Sequence, residues 1–246
     1  MDKNAFSLAE TLITLVVIGI VAALTIPNLM RKYEDQQTIT GVKTAYAILD
    51  NALKMMYREE GNPQDWIWPE TSALKGELFM NKLSNYLKVE KYCGNTNGCF
   101  NYGHDKKYNN HGFKTIDGLH GEWGTWNEHL RYGKMILKNG MHISMSDVPL
   151  DKNGIGNILV DINGPKGPNQ YGYDTFFFNI DYEGISRTKK AGVSELDTNG
   201  VAFGTNFCYK KNTWSATHYR GISCAFWIMR HGNVDYKYRD VRSEWW

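Results

Sequence analysis

Two hydrophobic patterns follow one another along the N-terminal part of the chain. From Thr11 to Met30 it reads TLITLVVIGIVAALTIPNLM, twenty residues without a charged side chain. At the rise of an α-helix that run spans about 30 Å, the thickness of a bilayer's hydrocarbon. Beyond it, Ile39, Val42, Tyr46, Leu49, Leu53 and Met56 recur every three or four positions, which lays a single apolar stripe along one helix face. Lys43, Asp50, Lys54, Arg58 and Glu59 fall off the stripe, and Gly61-Asn62-Pro63 supplies a stop. The pattern therefore predicts one long helix from Phe6 to Glu60 whose second half buries against a sheet.

The pattern then changes. Residues 62–132 are rich in Asn, Gly, Trp and Tyr; they read mostly as loops, with a short helix over Thr71–Leu87. Met135–Leu137, then Asn139-Gly140, then Met141, Ile143 and Met145 alternating with His142 and Ser144, predict a hairpin whose turn dipeptide tolerates positive φ at both central residues. Ile158–Ile162 and Thr175–Ile180 predict two further strands of an antiparallel sheet, joined by a Gly- and Pro-rich loop from Asn163. The continuous apolar run Ile222–Met229 fits either a buried strand or a short helix ending at His231-Gly232. The fold class expected is α+β: a long N-terminal transmembrane-and-amphipathic helix packed on an antiparallel β-sheet head.

Composition narrows the class of protein. A chain of 246 residues, 42% of them hydrophobic, is long enough to bury a sizeable core. Its mean hydropathy of -0.49 requires that everything outside the apolar run be distinctly polar. Lys and Arg number 28 against 26 Asp and Glu, a formal charge of +2, too balanced for the basic stripe of a dedicated nucleic-acid binder.

The flanks of the apolar run sharpen this picture. Met-Asp-Lys-Asn-Ala precedes it with Lys3 as the only basic side chain, followed by Phe6-Ser7-Leu8-Ala9-Glu10, which sets a carboxylate at the head of the hydrophobic segment. A secretory signal has a basic region followed by pure hydrophobicity, and an acid at the bilayer centre costs about 2.5–3.5 kcal/mol on insertion scales. Val21-Ala22-Ala23 would serve as a signal peptidase site, but Glu10 counts against that reading.

Ala5-Phe6-Ser7-Leu8-Ala9-Glu10-Thr11-Leu12 followed by the apolar run resembles the class III signal of type IV prepilins and type II secretion pseudopilins. The resemblance implies cleavage by a prepilin peptidase between Ala5 and Phe6, N-methylation of Phe6, and pairing of Glu10 with an N-terminal amine in a growing filament. Gly19 and Pro27 match the positions where that family has a flexible Gly and a kinking Pro. Ala5 stands where the family usually has Gly, and the leader is less basic than usual. The match is strong over the first 30 residues or so and loose over the head.

The implied organisation is a leader at 1–5, a transmembrane and assembly helix at 6–30, its amphipathic continuation at 31–61 and a globular head at 62–246. The upper helix would meet lipid or sister subunits. The implied partners are the prepilin peptidase, other pilin or pseudopilin subunits and an inner-membrane assembly platform. The chain would sit as a single-pass protein of the bacterial inner membrane, head outside the cytoplasm, before entering a pilus or pseudopilus. The size of the head favours a minor or specialised subunit. The alternatives are a secreted or singly anchored binding protein, and a DNA-binding minor pilin of an uptake system.

Candidate chemistry in the head is sparse. Cys93, Cys99, Cys208 and Cys224 allow three pairings; export favours disulfides, and turn-forming residues between Cys93 and Cys99 favour local ones. Zinc held with His104 or His111 matches no standard ligand spacing. His104, His111, His120 and His129 lie among Asp105, Asp117 and Glu122, but no nucleophile–base signature accompanies them, so no enzyme activity is expected. Asp161, Asn163 and Asp174 offer hard oxygen ligands that calcium prefers, loosely resembling the calcium loop of major pseudopilins. The same residues are what any tight turn uses, and the turn is the preferred reading. Lys210, Lys211, Arg220, Arg230, Lys237, Arg239 and Arg242 face only Asp235, Asp240 and Glu244 in the C-terminal stretch. They read as a solvated surface in preference to a single-stranded DNA platform.

Overall fold

The computed structural model describes residues 8–96, 98–100, 114–118, 132–147, 156–182, 184–185, 208, 221, 223–241 and 244. The chain divides into two units, Met1–Gln37 and Thr38–Trp246. One helix, α1 (Leu8–Glu60), runs through that boundary. The compact unit thus starts at Thr38, inside the segment expected to be the helix's amphipathic continuation, because the apolar stripe there belongs to the core.

In the second unit, α1 buries Ile39, Val42, Ala45, Leu49, Ala52, Leu53 and Met56, the expected stripe with two alanines added and Tyr46 at its margin. They pack with Met135, Ile143, Met145, Ile158, Val160, Phe176 and Phe178 of the sheet. Each fully buried Leu or Met of the stripe stabilises the fold by about 1.5–3 kcal/mol. Tyr46 lies against Phe178 with ring centroids 6.5 Å apart. Tyr57 donates its hydroxyl to the Asp181 carbonyl at 3.0 Å, and burial raises its pKa, with Asp181 adding to the shift.

The sheet comprises β1 (Val89–Gly94), β2 (Tyr132–Leu137), β3 (His142–Asp147), β4 (Gly156–Asp161), β5 (Thr175–Asp181) and β6 (Gly184–Ile185). They neighbour one another in chain order and every pair is antiparallel. Every residue of β4 is buried: Ile158 and Val160 join the helix-side core, while Leu159 joins a second cluster with Phe177, Tyr171, Phe100 and the Cys93–Cys99 pair. The alternation of the strand sends its neighbours to opposite faces.

Two local expectations are corrected and one open alternative is decided. The β2–β3 connection has positive φ at Gly140 (+85°) but not at Asn139. The amide of Gly140 donates to Leu137 O, and that of Leu137 to Met141 O. This is a three-residue loop ending in a left-handed Gly, not the two-residue mirror-image turn. The stretch read mostly as loop contains, besides α2 (Ser72–Ser84), the edge strand β1; two register shifts against β2 break the alternation by which a strand is recognised. The apolar run near the C-terminus is a helix, α3 (Cys224–His231). It buries Cys224, Ala225, Trp227 and Ile228, a helical spacing, and closes on Gly232 in the left-handed region, whose amide donates to Ile228 O at 2.8 Å.

α2 starts at Thr71, whose side chain accepts from the Leu74 amide at 3.3 Å, and buries Phe79, Met80 and Leu83. Lys82 forms an ion pair with Glu60, joining α2 to the last turn of α1.

Candidate functional site: the exposed apolar segment of α1

Residues 8–30 of α1 form 23 residues of continuous helix, about 34 Å at the α-helical rise. The apolar side chains point into solvent: Leu15 is 66% exposed, Leu24 69% and Leu29 68%. This is the one described helix long and apolar enough to cross a membrane, and none of its apolar window is buried. Soluble proteins rarely leave so large an apolar surface uncovered.

The polar atoms within the segment are turned back onto the helix. Thr11 Oγ1 donates to Leu8 O (2.8 Å), Thr14 Oγ1 to Thr11 O (2.9 Å) and Thr25 Oγ1 to Val21 O (2.8 Å). The hydroxyls therefore bring few unmet donors to an apolar surrounding. Asn28 donates to Leu24 O at 3.4 Å and accepts from Arg31 at 3.1 Å, which closes the apolar run with a polar turn. Pro27 lies inside the helix and lacks the amide that would otherwise bond back one turn. A side chain built on Gly19 would meet nothing within 4 Å, so packing within the chain does not require glycine there. Glu10 stands in the first turn of α1 and is exposed. Ala5 and Phe6, on either side of the expected cleavage, lie outside the described residues.

In the head the four cysteines form two disulfides, Cys93–Cys99 and Cys208–Cys224, with sequence separations of 6 and 16. The second fixes the first residue of α3. In the chain-entropy account the longer loop is worth about 3 kcal/mol and the shorter about 2 kcal/mol. Replacing Cys208 and Cys224 together by Ala should therefore lower the urea midpoint more than replacing Cys93 and Cys99. The reverse order would show that local packing, not loop closure, sets their value.

The structure brings Asp161, at the end of β4, together with Asn163 and Asp174 of the loop that leads to β5. Asp161 Oδ1 accepts from the amides of Asn163 (3.1 Å) and Gly164 (2.9 Å). Asp174 accepts from the amides of Asn169 (2.8 Å) and Gln170 (2.7 Å). Burial raises the Asp174 pKa, and these hydrogen bonds oppose the shift. The Oδ1 atoms of Asn163 and Asn169 are buried without a hydrogen-bond donor. No group of three His, Cys, Asp or Glu side chains is placed to hold a metal ion among the described residues. Both carboxylates thus serve as turn clamps. Stripping divalent cations with EDTA should leave the melting temperature unchanged. A fall that calcium reverses and that Asp161→Ala abolishes would identify an ion site instead.

The C-terminal cations are partly absorbed by the fold. Lys237 is buried, donates to Thr38 Oγ1 at 3.2 Å and lies 4.8 Å from the centre of the Tyr173 ring. Arg239 is forked between Asp235 (2.7 Å) and Glu244 (2.9 Å), and it holds the Glu244 carboxyl below its ordinary range. Nothing in the local pattern marks Lys237 as buried, because its partners are distant in sequence. Lys210, Lys211, Arg220 and Arg242 lie outside the described residues, as do His104, His111, His120, His129, Asp105 and Glu122. Asp117 accepts from Thr115 Oγ1 at 2.5 Å.

No family model matches the chain, and neither does any curated protein or solved structure.

Proposed function

We propose that the chain is a structural subunit, minor or specialised, of a type IV pilus or type II secretion pseudopilus. The observation that supports this most is the apolar segment of α1, none of it buried, with Glu10 in its first turn. Further along the same helix, from Ile39 to Met56, the apolar residues are core to a head that carries disulfides. Disulfides suit an oxidising compartment outside the cytoplasm. An apolar helix of this length stores the subunit in the membrane, and its acid supplies the single polar contact that sets one subunit against the next. In this reading a prepilin peptidase removes residues 1–5 and methylates Phe6. An assembly platform then moves the subunit from bilayer to filament. The protein has no catalytic task.

The test is the intact mass of the full chain co-expressed with a prepilin peptidase. The expected product begins at Phe6 and carries one methyl group. A bulky residue in Ala5→Phe should block the cut by denying the peptidase its small side chain, while membrane insertion continues because the apolar run is untouched. A product beginning at Leu24 would establish ordinary secretion, and an unshifted mass would overturn the proposal in favour of a plain anchor.

A further inference from the structure

We draw no further inference here: the strongest candidate, the oxygen-rich cluster of Asp161, Asn163, Asn169 and Asp174 where β4 passes into β5, has its carboxylates engaged by nearby backbone amides, and the unpartnered oxygens beside them belong to Asn163 and Asn169, side chains only partly buried, which do not by themselves point to a ligand.

Discussion

Glu10→Gln is expected to leave membrane abundance equal or slightly higher while lowering filament or secretion output by on the order of a hundredfold. The substitution keeps the shape of the side chain and removes its charge. Insertion loses its main penalty, since no other ionisable side chain lies between Leu8 and Met30. In the proposed filament, assembly would lose the contact between this carboxylate and the Phe6 amine of a neighbouring copy. Removing one partner of a desolvated ion pair costs about 3–5 kcal/mol, because the other charge is left buried and uncompensated. That is two decades or more in an equilibrium. The measurement is surface filament or secreted cargo at matched membrane levels. Normal assembly by the Gln variant would remove the physical ground for reading the chain as a filament subunit and leave a tethered domain.

The second large effect belongs to the head. A Cβ added at Gly133 would lie 2.1 Å from Met80 Cβ and 3.0 Å from Gly76 O, at a φ of +59°. Its neighbours are a residue's own Cβ and a backbone oxygen, so no rotation of a flexible tip relieves the clash. Backbone strain and overpacking together should cost about 2–6 kcal/mol, a large share of the about 5–15 kcal/mol that holds an ordinary domain. Gly140→Ala is the control: its φ is +85°, yet nothing lies within 4 Å, so it carries only left-handed strain of about 1–2 kcal/mol. Urea unfolding of the full chain in detergent separates the two. Equal midpoints for both variants would show that α2 does not press on β2 as closely as described.

Which parts of the fold can be read in advance depends on how local their cause is. The buried stripe of α1 repeats one spacing over five turns, and neither loops nor neighbours interrupt it. β4 and β5 are short apolar runs with turn residues at their ends. By contrast, β1 is shifted twice in register, and β6, among the described residues, is Gly184–Ile185; neither offers a period to detect. The Asn139-Gly140 dipeptide serves two hairpin geometries equally, and the registers of the flanking strands decide between them. In α3 the deciding signs were present, with Arg230 and His231 in the last turn and Gly232 just beyond, while the apolar run alone could not distinguish helix from strand. The requirement for glycine at 133 is set by a methionine more than fifty positions earlier, which no window of sequence contains. The candidate segment follows the same rule: Glu10 and the apolar run lie side by side in the chain, and the clamps of the β4–β5 connection are equally local, each carboxylate accepting from backbone amides within five residues of it.

The disulfide between Cys208 and Cys224 also governs what a protease can achieve. A single cut anywhere between those two cysteines would divide the polypeptide without releasing α3, because the sulfur link would still hold both fragments. Trp227 and Ile228 would stay seated in the core, and the nicked protein would migrate as an intact chain until a reductant was added. Limited digestion of this protein therefore needs to be run with and without thiol: a band that splits only with thiol was cut between a pair of bridged cysteines, and the fragment sizes distinguish the 208–224 stretch from the shorter 93–99 loop.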